Sequence, residues 1–332
     1  MGHEPLMRAG HHVDGRIEND APAASGEHPD PAPEHSRPTR PGSSFAGLIR
    51  AMRPRQWTKN ILVAAAPAAA GVLDERTAAV NTVLAFVAFS LAASGTYLLN
   101  DAADVEADRL HPVKRNRPIA AGIVGINTAR SVAVVLVAAG IGIGFLTGSW
   151  RLPLVTAIYV AMTTSYSTWL KNVAVVDLGL VAAGFVLRTI AGAAAADVPI
   201  SNWFFIVASF GSLFIVAGKR HSEFVELGPD RAAHRSTLRE YSVEYLGHVR
   251  SVASGVTLVA YCLWAFEKST EISGIPWYEL SIVPFVLGML RFALIVERGG
   301  AGAPEEVAFT DRPLQAMGLA WAVVTAVALY VS

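Results

Sequence analysis

The sequence predicts an all-α, polytopic membrane protein with about nine transmembrane helices, and three observations predict it. Of 332 residues, 52% are hydrophobic and only 16% charged, with a mean hydropathy of +0.40, more apolar than an ordinary soluble chain. The apolar residues fall in successive runs of roughly 20, the length that crosses a bilayer as a helix. Lysine and arginine gather in alternate loops between those runs, the asymmetry that orients membrane proteins.

Residues 1–43 are rich in Pro, Gly, Ala, Asp, Glu and His without apolar periodicity and read as a disordered cytoplasmic tail. Its His3, His11, His12, His28 and His35 lack a metal-ligand spacing. The membrane domain occupies residues 44–332. Phe45, Leu48, Ile49 and Met52 have helical spacing, with Arg50 and Arg53 beside them, which suits a short helix lying on an anionic membrane surface. Pro54 opens the first span, 54–72, with Arg55, Trp57 and Lys59 at the interface. The other apolar runs are 83–99, 126–146, 152–170, 173–195, 203–216, 249–266, 277–296 and 314–331. Gly140, Gly142 and Gly144 are spaced for close helix packing.

The opposite loops carry only Arg76, Arg151 and Lys268 against the many cations of the basic set, so the basic loops face the cytoplasm. That places the N-terminus inside and the C-terminus outside a plasma-membrane protein. After the sixth span, a Gly228-Pro229-Asp230 turn leads into a stretch where Leu238, Tyr241 and Tyr245 share a helical face, either a lid lying on the membrane or a surface helix. Charges inside spans cost about 2.5–3.5 kcal/mol each at mid-helix. Asp177 lies close enough to Lys171 to join a cytoplasmic site, Arg188 reads as a packing or snorkelling residue, and Arg291 as a snorkelling one.

The formal net charge is zero, so function must be read from where charges sit. Cys262, the only cysteine, lies in an apolar run and leaves no intrachain disulfide. No phosphate-binding glycine loop, zinc motif or nucleophile elbow appears, and nothing points to nucleic acid. Where the second apolar run surfaces, Asn100, Asp101, Asp104 and Asp108 fall within an arc of about 100° on one helical face. Such a cluster becomes favourable when a hard cation bridges it, and Mg²⁺ usually arrives with a substrate phosphate. The same side gathers Arg55, Lys59, Lys114, Arg115, Arg117, Lys171, Lys219 and Arg220. Carboxylates followed by cations suit a Mg²⁺-bound polyphosphate whose leaving group is neutralised as it departs.

The run Asn100-Asp101-x-x-Asp104-x-x-x-Asp108, with His111-Pro112-x-Lys114-Arg115-x-Arg117-Pro118-Ile119-Ala120-x-Gly122, resembles the first Asp-rich motif of the UbiA superfamily of intramembrane prenyltransferases. That resemblance implies a helical bundle with a cavity open to the cytoplasm and to lipid, in which Mg²⁺ on the aspartates holds a diphosphate, with Asp101, Asp104, Asp108 and Lys219 central to catalysis. Within the superfamily, Arg53-Pro54-Arg55-Gln56-Trp57-x-Lys59-Asn60, the segment from Tyr166 to Lys171, Arg188-x-Ile190-Ala191-Gly192 and the stretch from Phe210 to Arg220 look like the phosphoribosyl-transferring branch. That branch implies phosphoribosyl pyrophosphate as donor, decaprenyl (polyprenyl) phosphate as acceptor in the lipid bilayer, and a product that feeds cell-wall arabinan. Where ordinary members carry a second Asp-rich motif, this chain has Lys219-Arg220-His221-Ser222-Glu223, one acid among cations. The extra cations would offset repulsion among three anionic groups in one pocket. A prenyl diphosphate donor, or a lipid-anion transporter, is the competing expectation; a homo-oligomer is left open.

Overall fold

The computed structural model describes residues 44–227, 236–270, 274–299 and 304–330, and these form helices without strands. Helix α1 (Ser44–Ala51) is followed by a 3-10 segment (Pro54–Ala64) that runs into the short α2 (Ala65–Ala69). Then come α3 (Arg76–Ala103), α4 (Val105–Leu110), α5 (Ile126–Gly144), α6 (Arg151–Thr168), α7 (Val176–Ala196) and α8 (Asn202–Leu227). The rest are α9 (Val243–Ser269), α10 (Trp277–Glu297), α11 (Pro304–Thr310) and α12 (Arg312–Tyr330). The expected tail 1–43 and the Gly228-Pro229-Asp230 turn lie outside the described residues.

Among the described residues, seven helices are long and apolar enough to cross a membrane: α3, α5, α7, α8, α9, α10 and α12. The other two expected spans differ in kind. The stretch opened by Pro54 is an eleven-residue 3-10 helix, which rises about 2.0 Å per residue and so covers in eleven residues what an α-helix covers in about fifteen. The expected span 152–170 is α6, eighteen residues that include Thr156, Thr163, Thr164, Ser165, Ser167 and Thr168 and are diluted by these hydroxyls. Three of them, Thr156, Thr163 and Thr168, bond back to carbonyls of the preceding turn, which satisfies them inside the helix.

Small residues set the helix spacing. A Cβ on Gly140 of α5 would lie 2.7 Å from the Ala88 carbonyl of α3, and one on Gly144 3.0 Å from Pro153, whereas Gly142 faces open space. The approach of α7 to the 3-10 segment is closer still, since a Cβ on Gly192 would meet the Val63 carbonyl oxygen at 1.6 Å. Around that contact Val63, Phe89, Ala92, Leu152, Tyr159 and Ala191 form one core cluster. A second joins α1, α3 and α5 through Ala51, Leu98, Ile119 and Ala133. On α1, Phe45 and Ile49 stay exposed while Gly47 and Ala51 are buried, the division expected of a helix at a membrane surface.

The two arginines that the sequence places inside spans, Arg188 and Arg291, both find partners within the bundle. Arg188 is 6% exposed and donates to Asn60 Oδ1 at 2.8 Å, the Gly184 carbonyl at 2.6 Å and the Tyr159 hydroxyl at 3.1 Å. It therefore packs and does not snorkel. Arg291 also departs from the snorkelling expectation, gripping Asp311 with two hydrogen bonds of 3.1 and 2.7 Å. The Arg291 guanidinium and the Leu314 amide hold the Asp311 carboxyl below its ordinary value.

Of the segment expected to be a lid or a surface helix, the described part from residue 236 onward is not a surface helix. Residues 236–239 make a 3-10 turn, Ser242 caps α9 by accepting from the Tyr245 amide, and Leu238, Tyr241 and Leu246 are buried against Leu178, Ala182 and Val216. A serine cap seven residues ahead of the apolar run at Val249 starts α9 early and turns Leu246 inward.

Candidate active site

Helix α3 ends at Ala103, Asp104 leaves the helical path at φ −91°, ψ 10°, and α4 resumes at Val105. This break splits the acidic face. Asp101 and Asp108 are 2% and 3% exposed, while Asn100 and Asp104 remain half-buried. Asp101 Oδ1 accepts from Arg53 Nη2 at 2.6 Å and from Arg117 Nη1 at 3.0 Å, and the same Arg117 nitrogen donates to Asp108 Oδ2 at 2.7 Å. Two buried carboxylates this near one another require a cation between them, and Arg117 supplies it.

Arg53 reaches Asp101 from a left-handed backbone conformation, φ 55° and ψ 59°, directly before Pro54. A residue before proline is normally extended, and a non-glycine residue held in the left-handed region costs about 1–3 kcal/mol. The ion pair and a stack of the guanidinium 4.8 Å from the Tyr97 ring centre hold it there.

The second half of the site is built where α7 begins. The Val176 amide donates to the Ala174 carbonyl at 2.8 Å around Val175 at φ 68°, ψ −47°, a γ-turn of the rare positive-φ kind that a β-branched residue seldom adopts. The Val175 amide in turn donates to the Tyr241 hydroxyl at 2.7 Å. Tyr241 passes its own proton toward Asp177 Oδ1. Burial, and then the Asp177 carboxylate, pushes the Tyr241 hydroxyl above its ordinary value, so it remains a donor. Asp177, fully buried, accepts from Arg220 Nε through its other oxygen at 3.2 Å, and Arg220 Nη1 donates to Glu223 Oε2 at 2.9 Å. Lys219 Nζ stands 4.0 Å from Glu223 Oε1.

Lys171 joins the halves, with Nζ 3.5 Å from Asp104 Oδ2. Tyr166 lies within electrostatic reach of Lys171, Asp177, Arg220 and Glu223. Lys171 and Tyr166 thus stand between Asp104 on one side and Arg220 and Glu223 on the other, a polar cluster, the mouth of the site, with Lys219 beside Glu223 and the half-buried Asn100 one turn before Asp104. Arg55 and Arg115 are exposed and, like Lys114, make no side-chain ion pair among the described residues, while Lys59 is half-buried on the 3-10 segment. Arg220, expected to meet substrate, is 4% exposed and committed to two carboxylates. Sequence reasoning did not assign Arg53 or Tyr241. The signal for Arg53 was its place before Pro54; Tyr241 offered only a helical spacing.

Among the described residues no three His, Cys, Asp or Glu side chains converge as a metal cage. The expected ligands divide accordingly: Asp101 and Asp108 face arginines, while Asn100 and Asp104 offer oxygen donors at the mouth. One carboxylate and one amide oxygen fit Mg²⁺, which takes few protein ligands and completes its octahedron with water and substrate phosphate. Toward the membrane interior, an apolar cavity of about 550 Å³ opens between α7, α8, α10 and α12, lined by Phe185, Phe204, Phe214, Phe292, Met317 and Trp321 among others.

Residues 60–310 match the model of the UbiA prenyltransferase family. The chain belongs to that family. Within it, the chain is 43% identical over 304 residues to the decaprenyl-phosphate phosphoribosyltransferase of Corynebacterium glutamicum, covering 90% of this chain and 91% of that one. It is 45% identical over 289 residues to the Mycobacterium tuberculosis protein of the same name, covering 85% and 93%. The fold is that of solved UbiA structures. A UbiA homologue from Archaeoglobus fulgidus bound to DMAPP and Mg²⁺ aligns with TM-score 0.64 at 15% identity, over 86% of this chain and all of that one. A digeranylgeranylglyceryl phosphate synthase aligns with TM-score 0.63 at 14% identity, over 88% of this chain and all of that one. Family membership and seven apolar helices make this a multi-pass membrane protein.

Proposed function

We propose that this UbiA-family chain transfers 5-phosphoribose from phosphoribosyl pyrophosphate to decaprenyl phosphate, releasing diphosphate. The observation that carries this reading is the stretch Lys219-Arg220-His221-Ser222-Glu223, where Arg220 takes up both Asp177 and Glu223 and a second acidic motif for a prenyl diphosphate has no counterpart. Relatives that share 43–45% of their residues with it over most of their length and carry the phosphoribosyltransferase name support the reading.

In this reading Asn100 and Asp104 would hold Mg²⁺, which would supply positive charge against the leaving diphosphate. Lys171, 3.5 Å from Asp104 Oδ2, and the half-exposed Lys219 are the flexible point charges that adapt to phosphate oxygens. Arg53 and Arg117, locked on Asp101 and Asp108, fix the frame around them. The polyprenyl chain lies in the apolar cavity, where each buried methylene stabilises by about 0.8 kcal/mol, and its phosphate reaches the mouth. A phosphate oxygen of the lipid attacks ribose C1 as the bond from C1 to the diphosphate oxygen breaks on the opposite face. The lipid phosphate is already ionised near neutral pH, so no general base is required. An α-configured donor then gives a β-configured product.

The mouth is read as cytoplasmic in the plasma membrane, because its cations are the ones that basic-loop asymmetry places inside, and the product as an arabinan precursor of the cell wall. Purified protein given radiolabelled phosphoribosyl pyrophosphate or a prenyl diphosphate, with decaprenyl phosphate and with or without EDTA, tests the reading. Label should pass to lipid only from phosphoribosyl pyrophosphate and only without EDTA. Transfer from the prenyl donor alone would sink it.

A further inference from the structure

We propose that Glu223 recognises the ribose of the donor by accepting hydrogen bonds from its hydroxyl groups, and that the buried chain Tyr241, Asp177 and Arg220 exists to hold it in place. This rests on the phosphoribosyl reading above. A prenyl donor carries no hydroxyl near its reacting carbon, whereas ribose carries one on the adjacent C2 and another on C3, so an acceptor aimed at the sugar is what separates the two chemistries.

The carboxylates around the mouth leave one candidate. Asp101 and Asp108 are enclosed and bonded to Arg53 and Arg117. Asp177 is fully buried between Arg220 and Tyr241. Asp104 belongs with Asn100 and faces Lys171. Glu223 has a side chain 26% exposed, one oxygen held by Arg220 Nη1 at 2.9 Å, and the other only loosely approached by Lys219 Nζ at 4.0 Å. A carboxylate whose charge is balanced by two cations is poorly suited to a general base or a metal. It is well suited to accept neutral O–H donors, because a carboxylate has about four lone-pair sites and the single bond from Arg220 leaves most of them open on its half-exposed side.

Its position is over-determined from a distance. Arg220 is one turn from Glu223 on α8, and its guanidinium is aimed by Asp177, whose second oxygen is held by the Tyr241 hydroxyl. That hydroxyl also receives the Val175 amide, fixing the strained turn that starts α7. The Tyr241 ring is buried in a cluster with Leu178, Leu238 and Leu246 and stacked on Tyr245, so its anchor does not depend on substrate. Glu223 touches the sugar; Tyr241, Asp177 and Arg220 are positioning residues.

The test is a cycle between enzyme and donor. Glu223→Gln keeps the side chain's shape, and Tyr241→Phe keeps the buried ring and removes only the hydroxyl. Each is assayed with phosphoribosyl pyrophosphate and with its 2-deoxy and 3-deoxy analogues, and Tyr245→Phe serves as control. For Glu223→Gln, kcat/KM on phosphoribosyl pyrophosphate should fall about 10- to 100-fold, mostly through KM, the loss expected for a hydrogen bond to a charged acceptor. At least one deoxy analogue should change by less than about threefold, since its bond was never made. Tyr241→Phe should show the same selectivity at smaller size. Equal losses on all three donors, or none, overturn the proposal while leaving donor identity standing; a melting temperature lowered in Tyr241→Phe without that selectivity also overturns it. Failure of the wild-type protein to use phosphoribosyl pyrophosphate at all would instead remove the reading beneath it. If Glu223→Gln does not fold, the Tyr241→Phe series carries the same decision.

Discussion

Replacing Arg117 by alanine removes the one side chain that touches both buried carboxylates of the first acidic motif. Asp101, with 2% of its side chain exposed, keeps Arg53 at 2.6 Å, but Asp108, with 4% exposed, keeps no ion-pair partner among the described residues. Removing one partner of a buried pair costs about 3–5 kcal/mol. Arg117 is 26% exposed, so water replaces part of what it gave, and roughly 2–3 kcal/mol is expected. In purified protein in detergent that loss should lower the apparent melting temperature by on the order of 5 °C. The decisive comparison is the double variant: Asp108→Asn removes the orphaned charge, so Arg117→Ala with Asp108→Asn should recover at least half of the loss. If the double variant melts no higher than Arg117→Ala, the two residues are not coupled through charge and the reasoning fails.

Asp104→Asn should cut turnover about a hundredfold while leaving the melting temperature unchanged, as expected for loss of charge stabilisation at the leaving group; normal activity would sink the assignment. Gly192→Ala puts a methyl group 1.6 Å from the Val63 carbonyl oxygen, beyond what side-chain adjustment absorbs, so it should cost about 3 kcal/mol or more and yield little monodisperse protein by size-exclusion chromatography; a wild-type elution and melt would contradict the packing. Acceptors of increasing chain length should bind tighter by about 0.8 kcal/mol per buried methylene until the cavity beside Phe185 and Trp321 is filled, and a flat dependence of KM on length would argue that the chain lies elsewhere.

The helices were legible because their cause is local. An apolar run of about twenty residues has few alternatives to a helix, and of the three glycines whose spacing announced close packing, Gly140 and Gly144 make it while Gly142 faces open space. The acidic cluster was legible as a group at the end of the second apolar run, but its single face was not, because the break at Asp104 buries Asp101 and Asp108 and leaves Asn100 and Asp104 half-buried. What was not legible depended on partners remote in sequence. That Asp101 belongs to Arg53 rests on a left-handed backbone at Arg53, and no local propensity specifies it before a proline. Tyr241 and Asp177 lie 64 positions apart, and a helical spacing that fitted a surface helix equally well concealed a buried hydroxyl. The first crossing misled for a related reason: its 3-10 path is set by Arg53 at one end and by the backbone of α7 at Gly192 along its length, and neither shows in hydropathy.

Arg188 also bears on how the molecule is assembled. Its hydrogen-bond partners come from the Pro54–Ala64 segment, from α6 and from its own helix, and through Asn60 and Ser90 the set extends to α3. While α7 is being inserted alone, that guanidinium faces lipid at a cost of about 2.5–3.5 kcal/mol on insertion scales. The cost is offset only once the earlier segments are already standing beside it. Arg188 therefore ties α7 to the Pro54–Ala64 segment, to α6 and, through Asn60 and Ser90, to α3, so that any displacement of α7 from these neighbours would bring the insertion cost of a charge back into the bilayer.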